Sequence, residues 1–273
     1  MKRIYTLAIY IFFLCTTAIF LYPIYFPIAS SMKGNTEIFS SPFALPTLFK
    51  FENYLQAWQV AKIGLDFRNS MLLSTGTVVL CLLVSSMGAY ILSRFRFRIK
   101  SLIYVYFLIG MMIPIQSTIL PLTYIIGKLQ WTDNYLVIVL LFVTTNLPIA
   151  IFILTGFMSQ IPTTLEESGI MDGAGILTIF STIIIPLSTP AIATVSIFVF
   201  LQSWNDLLIP LIFIHKPNLQ SISLGLLSFK GQYGTEYGAL MAAMVISIVP
   251  PLAVYMAAQE KVQSGLTAGA VKG

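Results

Sequence analysis

Long apolar runs separated by short polar segments dominate the chain. A helix needs about 20 apolar residues to cross the hydrocarbon core of a bilayer. The run from Ile4 to Met32 carries no charge and is too long for a signal peptide, whose apolar core has about 7–15 residues. The pattern predicts an all-α polytopic membrane protein with six transmembrane helices, at about 4–32, 69–93, 101–126, 135–157, 191–213 and 237–258.

Smaller features modify these spans. Pro23 and Pro27 are expected to bend or end the first span, and Pro114 and Pro121 interrupt the third. The segment FENYLQAW predicts a short amphipathic helix at the membrane surface, and FKGQYGTEYG predicts a glycine-rich loop before the last span. The dense basic segment RFRFRIK is typical of a short cytoplasmic loop.

Composition supports a membrane protein and excludes several functions. Of the 273 residues, 57% are hydrophobic and 9% are charged, and the mean hydropathy is +0.88. The net charge of +5 is modest, and no basic and aromatic stripe indicates a nucleic-acid partner. Cys15 and Cys81 lie in apolar runs and are expected to be buried packing residues. His215 is expected in an interfacial loop, and no metal site is predicted.

The segment from Gln160 to Pro190 is the exception in this apolar chain. It contains three acids close together, Glu166, Glu167 and Asp172. Thr163, with an acid three residues later, predicts a capping box that opens a helix. Gly173, followed by Gly175, predicts the turn that ends it, and a second helical stretch follows from Ile176 toward Pro186.

The spacing within this segment resembles the EAA loop of the permease subunits of ABC importers. That loop has Glu-Ala-Ala, three residues, Gly, nine residues, Ile, one residue and Leu-Pro. Here Glu167-Ser168-Gly169 stand for Glu-Ala-Ala, Gly173 follows after three residues, and Ile183 and Ile185-Pro186 complete the pattern. Gly169 in place of alanine should weaken the first helix by about 1 kcal/mol.

The resemblance implies that this loop couples the chain to an ATPase. The residues expected to do so are Glu166, Glu167, Ser168, Gly169, Asp172, Gly173, Ala174 and Pro186. Glu167 is expected to enter a cleft on the ATPase and pair with a basic residue there. Asp172 is expected to hold the turn through a local backbone hydrogen bond, and Gly173 to need a positive φ or a close approach to the partner.

Three other segments extend the resemblance over nearly the whole chain. SWNDLLIPLIF, GLLSFKGQYGTEYGALMAA and GLTAGAVKG look like the maltose-type carbohydrate permeases, and more narrowly like the second of their two unlike permease subunits. This implies a type I ABC importer transmembrane domain that moves a sugar or oligosaccharide by alternating access. The implied partners are a second permease subunit, two cytoplasmic ATPase subunits, an extracytoplasmic sugar-binding protein and membrane lipid.

The resemblance also implies a division of the chain and of the chemistry. Residues 1–68 would form the first transmembrane helix and an extracytoplasmic segment, 69–262 the importer core with the loop 160–190, and 263–273 a flexible cytoplasmic tail against the ATPases. The chain lacks a GxxxxGK[ST] phosphate loop, so it should bind no cofactor itself, and ATP and magnesium should lie on the ATPase subunits.

Orientation and substrate path follow from weaker signals. Basic residues number eight on one face and seven on the other, and the resemblance favours a bacterial plasma-membrane protein with both termini cytoplasmic. Within the predicted fifth span, Trp204, Asn205 and Asp206 are candidates for the translocation path. For Asp206 a structural polar contact near the outer end of the helix is the favoured alternative, since a charge inside a bilayer is costly unless it is paired or hydrated.

Other functions remain open at this point. The solute could be another small molecule, such as glycerol phosphate. A secondary transporter usually carries intramembrane charges, and only Asp206 lies within a predicted span. An intramembrane enzyme would need converging catalytic groups, whereas the chain has one histidine and neither HExxH nor GxSxG, so no catalytic residue is predicted.

Overall fold

The computed structural model describes the backbone of residues 2–232 and 236–270, and the side chains within these ranges except 2–4, 8, 228–232 and 258–270. The described ranges contain helices and no strands, as the all-α prediction requires. The helices in chain order are α1 (Lys2–Ser30), α2 (Asn35–Ser40), α3 (Glu52–Leu55), α4 (Ile63–Arg94), α5 (Lys100–Gly110), α6 (Ile115–Lys128), α7 (Tyr135–Met158), α8 (Thr164–Met171), α9 (Ile176–Ile179), α10 (Ile185–Leu187), α11 (Thr189–Asn205), α12 (Leu208–Phe213), α13 (Ile222–Gln232) and α14 (Tyr237–Ala270). Wider π-helical turns continue α3 over Gln56–Val60 and α9 over Phe180–Ile184, and a 3-10 turn covers Pro217–Leu219.

Four described helices are long and apolar enough to cross a membrane, namely α1, α4, α7 and the first part of α14. Two further pairs pass the same test but are bent, α5 with α6 by 96° and the stretch Ile176–Leu187 with α11 by 76°. The described residues therefore give up to six spans, the predicted number, when each bent pair counts as one, but the second pair covers Ile176–Asn205 and includes part of the predicted loop 160–190. The first bend lies just before Pro114, because a residue that precedes proline avoids the helical region.

The predicted continuous fifth span, 191–213, is wrong. Helix α11 begins at Thr189 and ends at Asn205, and Asp206 adopts an extended conformation with ψ 126°. Pro210 explains the break, because a proline ring clashes with the carbonyl four residues earlier and leaves it without an N–H donor. The carboxylate of Asp206 accepts the backbone N–H of Ile209 at 2.9 Å and so supports the first turn of α12.

Internal contacts divide the chain into two compact units, Met1–Phe67 with Leu224–Val249 and Arg68–Ser223 with Pro250–Gly273. In the first unit, α1 continues through both of its prolines to Ser30. The side chain of Asn53 donates to the carbonyls of Ser31 and Lys33 at 2.8 and 2.9 Å. These bonds fix the chain that leaves α1 against α3. The short helix predicted at FENYLQAW is present as α3 with its π-helical turn, and its place at the membrane surface stays a prediction.

The second unit packs around α7, which contacts α5, α11 and α12. Small residues of α4 allow close packing on it. A Cβ atom built on Gly88 would lie 3.6 Å from Ile151 Cδ1, an ordinary contact distance, and Cys81 is fully buried in the core. Cys15, by contrast, lies on an exposed stretch of α1, so its predicted burial is wrong.

Two further predictions need correction. The glycine-rich loop predicted at 229–238 begins later, because α13 extends to Gln232. The segment 263–273 is not a flexible tail throughout, because α14 runs unbroken to Ala270. Residues 271–273, the end of the predicted tail, lie outside the described residues.

Candidate functional site

The 160–190 segment forms a helical hairpin between α7 and α11. Helix α8 is its first arm, and α9, the π-helical turn and α10 form the second. The two arms contact each other at Gly169, where a built Cβ atom would lie 3.1 Å from Ile183 Cδ1 and 3.4 Å from Ile179 Cγ1. Glycine at this position therefore brings the arms closer together than alanine would.

The turn between the arms is a Schellman motif. Gly173 has φ +82°, its N–H donates to Ile170 O at 3.0 Å, and the N–H of Ala174 donates to Gly169 O at 2.9 Å. These are the paired bonds that end a helix through a left-handed residue. The positive φ expected at Gly173 is confirmed, and Ala174 packs against the core of the unit.

Asp172 does not hold this turn as predicted. It is exposed, and within the described part of the chain its carboxylate accepts no hydrogen bond. Its backbone N–H donates to Ser168 O at 3.0 Å, as any residue at that place would. The hydroxyl of Ser168 donates to the carbonyl of Thr164 at 2.9 Å, and Pro186 lies exposed in α10.

The capping box predicted at Thr163 is absent. Helix α8 begins at Thr164 as expected, but the side chain of Thr163 makes no capping hydrogen bond. Glu166, which would complete the box, points instead toward the end of α4. There it forms an ion pair with Arg94 and accepts a hydrogen bond from the hydroxyl of Tyr90 at 3.1 Å.

The two glutamates of α8 therefore lie in different environments. Consecutive residues on a helix are about 100° apart, so only one of them can face α4. The side chain of Glu166 is 12% exposed, whereas Glu167 is exposed. The loop also exposes large apolar side chains on both arms, among them Leu165, Ile170 and Met171 of α8 and Ile176 and Leu177 of the second arm. Exposed apolar side chains beside exposed carboxylates, here those of Glu167 and Asp172, are typical of a protein interaction site.

The other candidates lie at the junction of α11 and α12. Trp204 is 2% exposed and stacks on Phe200, with ring centroids 5.6 Å apart. Its carbonyl accepts the hydroxyl of Ser223 at 3.1 Å. Asn205 is exposed, and Asp206 bonds the backbone of α12 as described above. Of the three, only Asn205 is exposed, and a place for any of them on a translocation path stays a prediction.

Comparison with known proteins identifies the family. The family described as "Binding-protein-dependent transport system inner membrane component" matches residues 82–267. The chain belongs to this family.

Relatives of this transport family agree over nearly full length. The diacetylchitobiose uptake system permease protein NgcG of Streptomyces coelicolor is 33% identical, over 93% of this chain and 84% of its own. The arabinooligosaccharides transport system permease protein AraQ of Bacillus subtilis is 32% identical, over 99% of this chain and 97% of its own. A solved bacterial ABC transporter that imports the polysaccharide alginate has the same fold, with a TM-score of 0.83 at 22% identity over 95% of this chain and 96% of its own.

Two residues that contact the hairpin are not predicted from the sequence. They are Tyr90 and Arg94, which both bind Glu166. Arg94 was assigned to the basic loop segment on charge alone. Its distance of four residues from Tyr90 places both on one face of α4, which marks a polar face at the end of an apolar span. That signal shows that something polar packs there, but not that Glu166 does.

Proposed function

We propose that the chain is a permease subunit of an ABC importer that carries a sugar or oligosaccharide and is driven by separate ATPase subunits docked on α8. The observation that carries the coupling role is the exposed Glu167 among exposed apolar side chains, on a hairpin whose turn and arms are closely packed. The sugar substrate rests on the names of the relatives, which handle diacetylchitobiose and arabinooligosaccharides.

The hairpin is suited to receive force from a partner. Its arms touch at Gly169 and its turn is closed by two backbone hydrogen bonds, so displacement of α8 should move the second arm as well. The chain has no phosphate loop, so in this proposal ATP is hydrolysed by partner subunits. A second permease subunit, two ATPases and an extracytoplasmic binding protein complete the proposed assembly.

Replacement of Glu167 tests the docking. Removing one partner of a desolvated charge pair costs about 2–5 kcal/mol, so Glu167→Lys should weaken ATPase binding by about 30-fold or more. The measurement is the amount of ATPase retained by the tagged permease after membrane solubilisation. Gln160→Lys adds a positive charge at an exposed position of the same segment, before the first arm α8 begins, and is the control. Equal ATPase retention by wild type and Glu167→Lys would contradict the proposal.

The solute is tested with purified complex in liposomes. Uptake of labelled diacetylchitobiose and arabinooligosaccharides is compared with uptake of glycerol phosphate, each in the presence of the cognate binding protein and ATP. ATP-dependent uptake of a sugar supports the proposal. Uptake of glycerol phosphate alone would assign another solute class, and uptake driven by an ion gradient without ATP would identify a secondary transporter.

Orientation is tested with impermeant thiol reagents. Leu45, between α2 and α3, is 72% exposed and Met171 on α8 is 87% exposed. With Cys15 and Cys81 replaced, a cysteine at Leu45 should be labelled in intact cells, and one at Met171 only after permeabilisation. Labelling of both in intact cells would exclude a cytoplasmic hairpin.

A further inference from the structure

The contacts between α4 and the hairpin form one connected group, which we call the Arg94 cluster: Tyr90, Arg94 and Glu166. Arg94 is the last residue of α4. Its guanidinium pairs with Glu166 on α8 and donates through Nη2 to the carbonyl of Ile161 at 2.7 Å. It therefore contacts both the chain that enters the hairpin and the first arm itself.

The second arm of the hairpin is attached to the same helix. The ring of Tyr90 lies 5.2 Å from the ring of Phe180, in the π-helical turn of that arm, while its hydroxyl donates to Glu166. Since Tyr90 and Arg94 are one turn apart on α4, one short face of this helix contacts both arms. Movement of the hairpin without α4 would have to break the ion pair, two hydrogen bonds and a ring contact.

Arg94 differs in this respect from the other basic residues of its segment. Its side chain is 9% exposed, whereas Arg96 and Arg98 are exposed and make no ion pair within the described residues. A charge that served only to orient the span would have no need to be enclosed. Enclosure beside a carboxylate makes the pair dependent on geometry, because either charge left alone there would be poorly solvated.

We propose that the Arg94 cluster transmits displacement of the hairpin into α4, with Arg94 and Glu166 as positioning residues that contact neither ATP nor solute. The proposal rests on the proposed function, since it assumes that an ATPase displaces α8. It gives the two adjacent glutamates separate tasks. Glu167 binds the partner, and Glu166 carries the resulting movement into the span.

The test uses the full importer, purified through a tag on this chain, in lipid nanodiscs. With Cys15 and Cys81 replaced, spin labels at Leu83 of α4 and Leu136 of α7, both exposed, report the distance between these helices without nucleotide and with ATP and vanadate. ATPase retention is measured on the same samples. The variants are Glu166→Gln, Arg94→Gln, the double variant and Tyr90→Phe. Arg96→Gln is the matched control, because it removes an equal charge two residues away.

The cluster predicts one pattern of results. Glu166→Gln and Arg94→Gln should retain the ATPases but lose most of the ATP-dependent distance change, and the double variant should lose no more than either single one, because the pair acts as a unit. Tyr90→Phe should lose less, and Arg96→Gln should behave as wild type. If Arg94→Gln fails to assemble, Glu166→Gln, which keeps the side-chain shape, and Tyr90→Phe decide the question.

Two results separate the failure of this inference from failure of the proposed function. If the cluster variants retain the full distance change while Glu167→Lys loses the ATPases, the cluster does not transmit and the docking role stands. If Glu167→Lys retains both the ATPases and the distance change, the docking role itself is wrong. Additive losses in the double variant would also overturn the inference, since they would indicate two independent effects on folding.

Discussion

The turn of the hairpin offers a clean test of how the loop keeps its shape. Gly173 has φ +82° and no atom within 4 Å of a built Cβ atom, so alanine there meets backbone strain but no clash. The left-handed conformation costs a non-glycine residue about 1–2 kcal/mol. Alanine also reduces the conformational entropy of the unfolded chain, which offsets about 0.4–1 kcal/mol of that cost. We expect Gly173→Ala to destabilise the turn by about 1 kcal/mol, equivalent to about a fivefold change in the local opening equilibrium.

Gly175 is the matched control. It also has no atom within 4 Å of a built Cβ atom, but its φ of −77° and ψ of 165° suit any residue. Gly175→Ala should therefore leave local stability unchanged or raise it slightly. Gly173→Asn should lie between wild type and Gly173→Ala, because asparagine tolerates the left-handed region.

Hydrogen exchange of the hairpin measures the effect. The reporting amides are those of Gly173 and Ala174, which donate to Ile170 and Gly169. Gly173→Ala should speed their exchange about fivefold, since local opening controls exchange, and Gly175→Ala should not. Equal exchange in the two alanine variants would refute the reasoning, because the variants differ in the backbone conformation at the substituted position and not in free space.

Three more predictions follow from single contacts. Gly169→Ala should leave hydrogen exchange in α8 unchanged or slow it, because a gain of about 1 kcal/mol in helix propensity is opposed by a tight 3.1 Å contact with the end of the Ile183 side chain. Gly169→Val should speed exchange in α8. Identical exchange in the two variants would contradict this reasoning. Burial alone would raise the pKa of Asp133, but the backbone N–H groups of Lys216 and His215 outweigh it and lower the pKa. A carboxylate whose pKa is lowered in the folded state stabilises the fold above its ordinary pKa, and this stability is lost as the pH falls through the folded-state pKa. Hydrogen exchange at the amide of Lys216 should therefore differ between wild type and Asp133→Asn at neutral pH and become equal in acid. A difference that stays constant with pH would refute the assignment. Asp206→Ala should destabilise the start of α12 by about 1 kcal/mol and lower the melting temperature of the complex. Asp206→Asn should not, because it keeps an acceptor for the N–H of Ile209, which lies 2.9 Å from the carboxylate in the wild type. Normal assembly of Asp206→Asn with lost transport would indicate a transport role instead.

Hydrophobicity and glycine placement made most of the fold predictable. Apolar runs of membrane length predict α1, α4, α7 and the start of α14, because about 20 apolar residues in a helix match the thickness of a bilayer core. Gly173 marked the turn of the hairpin because a left-handed residue ends a helix there. These are local properties, so the sequence carries them in full.

The break at Asp206 shows why prolines are harder to interpret. Pro148 lies inside α7 and Pro250 and Pro251 lie inside α14 without ending either helix, whereas Pro210 accompanies a break. At the break, the side chain of Asp206 accepts the N–H of Ile209. In an unbroken helix, a backbone carbonyl would accept that N–H. In this chain the broken span is accompanied by an aspartate four residues before the proline.

The site was predictable in its spacing but not in its orientation. The pattern placed Glu166 and Glu167 side by side, and helix geometry requires that they face different ways, but nothing local says which of them is buried. That choice depends on Arg94, whose contact at Ile161 is already 67 residues away along the chain. Contacts over such separations require the fold.

The missing capping box follows from the same contact. Thr163 and Glu166 have the right types and spacing to cap α8 by themselves, a gain of about 1 kcal/mol. A carboxylate enclosed beside an arginine gains more from that partner than from one backbone amide, and removing either member of an enclosed pair costs about 3–5 kcal/mol. Glu166 therefore turns to Arg94. The start of α8 is held by α4 in place of its own cap, so the position of the hairpin depends on the end of this span.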